Sequence, residues 1–180
     1  WGLDFATLKD WGMDEPAHKR YLNDFFTGKH PGSDSRGELY NDDPVTQDAR
    51  FCGTTASMCG IEAALFEKND EKLERGIRED LMLHAYMLTQ SGIPMLYSSD
   101  EVGRLNDYSY KDDPDKAADS RYIHRGAFQW DLAKKRKSKT SVEGQIFQTL
   151  SRMEQIRRQE SVFDKDCDVY TCLLYTSPSP

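Results

Sequence analysis

An α/β fold is the class this sequence predicts, and three observations carry it. Two long segments repeat apolar residues at helical spacing, a short apolar run entered through a proline reads as a buried strand, and long polar stretches lie where strand ends would fall.

Residues 1–51 are rich in Asp, Gly, Pro and aromatics, with one short amphipathic segment at residues 18–26. They predict a long decorated loop of the kind that shapes a binding site. A flexible linker is the plainer alternative, but Trp11, Tyr21, Phe25, Phe26 and Tyr40 are more aromatics than a disordered linker carries. From Gly53 the pattern changes. Thr55, Met58, Cys59, Ile61, Ala64 and Leu65 recur at helical spacing, and Lys68-Asn69-Asp70 supplies a break.

A second helix is predicted over 71–90, with Asp70 as N-cap, with Leu73, Ile77, Leu81 and Leu88 on its apolar face beside His84 or Ala85, and with Gly92 at its C-terminal stop. Ile93-Pro94-Met95-Leu96-Tyr97 follows as the strand, since proline fits a strand's first position and Ser98-Ser99-Asp100-Glu101 ends the run abruptly. Residues 101–140 read as another polar loop. The last helix is predicted over 141–158, striped by Val142, Ile146, Leu150, Met153 and Ile156, with Arg152, Arg157 and Arg158 suiting its C-terminus.

Composition limits the function classes. The 180 residues amount to one ordinary domain, and 31 Asp+Glu against 24 Lys+Arg give a net charge of -7, which argues against nucleic acid as partner. Lys134-Lys135-Arg136-Lys137 and Arg157-Arg158 are offset by acidic blocks elsewhere. No apolar run approaches the ~18 residues of a membrane span. Hydrophobic residues make up 37%, and mean hydropathy is -0.78, low for a self-sufficient core and ordinary for a piece of a larger enzyme. The opening at Trp1 reads the same way.

Cys52, Cys59, Cys167 and Cys172 form no C-x-x-C pair, and buried free thiols are expected. His18, His30 and His124 show no metal spacing, while His84 falls on a helix face as a buried histidine. Asp112-Asp113-Pro114-Asp115 lacks the Gly and Glu of a calcium loop and reads as a solvated turn. Neither a metal nor a cofactor is indicated. Asp100 and Glu101 are adjacent carboxylates at a strand end, but neighbours in an extended strand face opposite ways and cannot flank one bond.

Several motifs occur in a shared order: Asp42-Asp43-Pro44 to Arg50-Phe51-Cys52-Gly53-Thr54, then Ser91-Gly92-Ile93-Pro94-Met95-Leu96-Tyr97, Asp100-Glu101-Val102-Gly103, Leu105-Asn106-Asp107, and Asp119-Ser120-Arg121-Tyr122-Ile123-His124-Arg125. Together, over about residues 1–159, they resemble the amylosucrase branch of the alpha-amylase superfamily. The resemblance implies the C-terminal fragment of a (β/α)8 TIM barrel with long loops inserted after strands seven and eight. Residues 1–52 would be the insertion after strand seven, and 53–160 the last helices, strand eight at 94–98 and the final helix. Residues 161–170 would begin a β-sandwich domain. The stretch 171–180 looks like translated adapter sequence.

The activity implied is retaining sucrose cleavage, with transfer of glucose to an α-glucan, so sucrose and α-glucan or oligosaccharide acceptors would be the partners. A sucrose or α-glucoside hydrolase of the same superfamily is the near alternative, and a non-catalytic carbohydrate-binding module using Trp11, Tyr108, Tyr110, Phe128 and Trp130 is the alternative of another class. Retaining cleavage needs two carboxylates ~5 Å apart. By the resemblance these, and a third Asp, lie upstream of Trp1, so the 180 residues alone are expected to be inactive on sucrose. Arg121 matches the arginine that closes the sucrose pocket by pairing with an upstream Asp, Arg50 and Lys19 match acceptor-path cations, and Asp100 and Glu101 support the site floor. The family carries Gly where Ser99 stands. A positive φ there would cost this chain on the order of 1 kcal/mol.

Overall fold

Side-chain caps set where the helices begin. In the computed structural model, which describes residues 3–169, Asp4 caps α1 (Phe5–Asp10) and Asp14 caps α2 (Glu15–Phe26), each carboxylate accepting from a backbone N–H three residues on. Thr54 does the same for α3 (Thr55–Met58), and α4 (Ile61–Glu67) follows from the left-handed Gly60. The long helix α5 (Asp70–Leu88) is capped by Asn69, so Asp70 sits in its first turn, where a negative charge suits the helix dipole. After the short α6 (Trp130–Lys134), Ser141 caps α7 (Val142–Gln159).

The core lies between α5 and α7. Ile77 of α5 meets Ile146 and Leu150 of α7 with Ala56 and Ile61 beneath them, and Leu73, Leu81, Leu105, Val142 and Met153 close the edges. These are the stripes the sequence displays, since residues three and four apart share one face of a helix. Asn106 ties the loops to this core: its amide accepts from the Thr54 N–H at 2.9 Å and donates to the Arg36 carbonyl at 2.5 Å, and its own N–H donates to Ser57 Oγ at 2.9 Å.

The barrel expectation is corrected. Of the described residues 54% are helical, 3-10 turns included, and 4% are in strands, and the sole sheet among them is an antiparallel pair, β1 (Glu38–Tyr40) with β2 (Arg50–Cys52). This chain is therefore not a fragment of a (β/α)8 barrel, and its class is helical with one small hairpin rather than α/β. The reason shows at Ile93–Tyr97. That run has a strand's alternation, with Pro94 and Leu96 half-buried between exposed Ile93, Met95 and Tyr97, yet no neighbouring strand pairs with its backbone. Arg157 of α7 instead holds the approach to it, donating to the carbonyls of Leu88, Gln90 and Gly92. Alternation gives the facing of side chains, while a sheet needs a second backbone.

Residues 3–52 carry α1, α2 and the hairpin rather than one continuous loop. The amphipathic segment expected at 18–26 forms most of α2, but the helix begins at Glu15 and turns Lys19 and Asn23 inward, where Asn23 donates to the Gln47 carbonyl at 3.1 Å. Residues 171–180, with Cys172, lie outside the described residues, as does Trp1.

Ser99 occupies the left-handed region, φ 82°, and is buried. The Ser99→Gly variant should be more stable by on the order of 1 kcal/mol, read as a higher urea midpoint at unchanged slope. Leu150→Ala, which empties a fully packed position, should cost about 2–5 kcal/mol in the same titration.

Candidate functional site

The hairpin and the 3-10 turn Ser120–His124 build the site that the sequence singles out. Ser120 Oγ donates to the Leu39 carbonyl at 2.8 Å and pins the turn against β1. Asp119 caps that turn, accepting from the Arg121 N–H at 3.0 Å. The same carboxylate then takes Arg121 in a fork, Nε to Oδ1 at 2.8 Å and Nη2 to Oδ2 at 2.7 Å. The guanidinium lies 4.4 Å from the centroid of the Tyr40 ring, a cation–π contact that fixes its plane. Arg121 is thus partnered within its own turn, where the resemblance implies a carboxylate upstream of Trp1.

Tyr40 stands opposite Arg50 in the register of the hairpin, and directly opposed residues of an antiparallel pair share one face. Arg50 is exposed and shares a strand face with Tyr40, over whose ring Arg121 lies. Beneath them Cys52, Tyr110 and Ile123 form a small buried cluster with Tyr40 and Tyr122 at its edge. The Tyr110 hydroxyl donates to Glu38, which also pairs with Lys111 at 2.5 Å. Burial, and then the Glu38 hydrogen bond, hold the Tyr110 phenol protonated well above its usual range.

Lys19 is elsewhere. It is 5% exposed, salt-bridged to Glu15 at 2.8 Å and Asp48 at 2.7 Å, and it sits 4.8 Å over the Phe5 ring. A cation held on three sides fixes α2 to the 41–49 loop and is not presented to a ligand. Asp100 and Glu101 belong to a 3-10 turn rather than a strand. Asp100 points inward, accepting from Thr55 Oγ1 at 3.1 Å, with His84 Nε2 at 3.9 Å, while Glu101 lines a 290 Å³ cavity with Phe128, Trp130 and Phe147. The two carboxylates therefore serve different surroundings and share no cleft.

His84 is buried, as its place on the helix face implies, but among charges. Asp80 Oδ2 lies 3.4 Å from Nδ1 on one side and Asp100 faces Nε2 on the other. Desolvation alone would lower the imidazole, yet the Asp100 and Asp80 carboxylates together outweigh it and push it up to about 10. These carboxylates favour the charged ring, which in that form bridges α5 and the turn at Asp100. Among the described residues no group of three or more His, Cys, Asp or Glu side chains could hold a metal ion, and no helix is long and apolar enough to cross a membrane.

Asp119 and the Tyr40 ring are the partners of Arg121 that the sequence alone did not single out. The signal was available in Asp119-Ser120-Arg121, because an Asp two residues before its partner is the pattern of an Asx turn. Compared with known protein families, no family model matches the chain.

Two pH effects follow. The hydrogen bonds from Arg121 hold the Asp119 carboxyl at about 2, against an ordinary 3.8. A lowered acid adds stability above its unfolded value, and this is lost as pH falls from about 4 towards 2. The Asp119→Asn variant should lack that acid-side slope in urea titrations. For His84 the sign reverses. Its raised value adds stability that is complete below about 6.5 and fades as pH rises through about 10, and His84→Gln should remove that alkaline slope.

Proposed function

We propose that these residues are the sugar-gripping part of a sucrose-acting glucosyltransferase of the amylosucrase type, which moves glucose from sucrose to an α-glucan. The observation that carries the reading is at Tyr40: Arg121, a cation that the resemblance expects to touch sugar, lies over its ring, and Arg50, a second such cation, stands opposite it across the hairpin. Exposed guanidinium N–H groups donate to sugar hydroxyls, and an aromatic ring offers an apolar face. The ordered motifs from Asp42 to Arg125 support the same reading. In this proposal the cleaving carboxylates belong to polypeptide outside the 180 residues, and the (β/α)8 architecture forms no part of it.

The Arg121 fork to Asp119 refines the role of that arginine. Asp119 engages two guanidinium nitrogens and fixes their orientation, which leaves Nη1 to meet a sugar hydroxyl. Hydrolysis by the same superfamily differs in letting water intercept the glucosyl group, and it uses this cluster equally.

In nuclear magnetic resonance titrations of this chain, sucrose should perturb Tyr40, Arg50 and Arg121 with a dissociation constant on the order of 1 mM. No fructose should be released, and Arg121→Ala should abolish the shifts. Shifts that survive this substitution, or none at saturating sucrose, would overturn the proposal.

A specific observation favours a second reading, a non-catalytic carbohydrate-binding module. Trp130 is 74% exposed and packs edge-on against Phe128 at 4.8 Å beside the 290 Å³ cavity, a platform on which a sugar ring could stack. Retention on an immobilised α-glucan that is lost in Trp130→Ala would select this reading over the first.

A further inference from the structure

The 290 Å³ cavity beside Trp130 carries both signs of charge on an apolar lining. Four segments of the chain converge on it. The 3-10 turn at 100–102 brings Glu101 and Val102, the chain entering α6 brings Phe128 and Trp130, the turn after α6 brings Arg136, and α7 brings Phe147. The volume is at the lower edge of the ~300–1,000 Å³ range of small-molecule sites, so the ligand it suits is small.

Two of the charges that line the cavity are open to a ligand. Arg136 donates through Nη1 to the Ala133 carbonyl at 2.8 Å, which orients the guanidinium, while Nε and Nη2 have no partner among the described residues and stay in reach of water. Glu101 is half-buried, and its carboxylate has neither a hydrogen bond nor an ion pair among the described residues, with both oxygens likewise in reach of water. Lys134, the third charge of the lining, is already paired with Asp131 at 2.6 Å. Glu101 and Arg136 thus face one apolar space without closing on each other.

That pattern selects the ligand's charges. A lone anion would be drawn by Arg136 and opposed by Glu101, and a lone cation the reverse, whereas a molecule carrying both charges gains a charge-assisted hydrogen bond from each. The cavity's two open charges sum to zero, as do those of an α-amino acid at neutral pH. An ammonium gains further from the face of Trp130, which is 74% exposed, and an apolar side chain leaves water against Phe128, Phe147 and the buried Val102. A neutral sugar would cover the same two ions without offering either a countercharge.

We propose that this cavity binds a free α-amino acid with an aromatic or branched apolar side chain, its ammonium received by Glu101, its carboxylate by Arg136 and its side chain by Phe128, Trp130 and Phe147. The inference does not rest on the sucrose reading, and it gives the Trp130 cavity an occupant other than glucan.

The test follows the Trp130 indole resonance of this chain at neutral pH and low ionic strength, where charge pairing is least screened, during titration with L-phenylalanine, L-leucine, N-acetyl-L-phenylalanine, L-phenylalaninamide and maltose. L-Phenylalanine or L-leucine should move the resonance saturably, and the two derivatives, each lacking one charge, should bind about tenfold more weakly than L-phenylalanine. Glu101→Gln should weaken L-phenylalanine about tenfold without weakening the N-acetyl derivative, and Arg136→Gln should weaken it similarly without weakening the amide. No shift at Trp130, equal binding of either derivative, unchanged affinity in Glu101→Gln, or maltose binding as tightly as the amino acids would each overturn the proposal. The derivatives need no substitution, so the unaltered chain decides the matter even if a variant fails to fold. Sucrose shifts at Tyr40 are a separate readout, so this proposal and the sucrose reading fail independently.

Discussion

The amide of Asn106 is the constraint on which the functional half of the molecule depends. Through one side chain and one backbone N–H it joins the strand approach at Arg36, the cap residue Thr54 and the buried Ser57. The Thr54 N–H and the Arg36 carbonyl would otherwise be stranded between the helical core and the hairpin, and an unmet buried donor or acceptor costs about 1–3 kcal/mol. Tyr108, which contacts the Asn106 amide at 3.3 Å, carries the same network outward to Glu62 of α4. The hairpin has six strand residues and no further strand to lean on, so its position is inherited from this polar junction.

The two halves are stabilised by different physics. Between α5 and α7 the stabilisation is apolar burial, and each methylene removed is felt because the side chains interlock. Around the hairpin it is a set of directional contacts: the fork of Arg121 on Asp119, the Ser120 hydroxyl on Leu39, and the Glu38 carboxylate shared by Tyr110 and Lys111. Directional contacts hold guanidinium groups and rings at fixed angles, which burial cannot do. Sugar recognition depends on such angles, because hydroxyls differ from one another chiefly in direction.

The helical half was readable in the sequence because its information is local. Leu73, Ile77, Val142, Ile146 and Leu150 mark their faces by spacing alone, and the helix bounds fall within two residues of those expected, although α5 is capped by Asn69 rather than the expected Asp70. The sheet was not readable, since whether Ile93–Tyr97 joins one depends on a backbone distant in sequence. For the candidate site, the resemblance pointed to Arg121, Arg50 and Lys19 alike. The fate of Lys19 was decided by Glu15 and Asp48, whose approach no spacing rule encodes.

The buried thiols have a practical consequence. Cys59 sits against the helical core, and desolvation, reinforced by Asp80, pushes its thiol up to about 12; Cys52 lies under the hairpin, raised in the same direction by burial. Neither is a nucleophile while its surroundings stay closed, because the reactive species is the thiolate. The rate at which each is alkylated therefore clocks how often its own half of the molecule opens, giving the native chain two internal stopwatches with no label added.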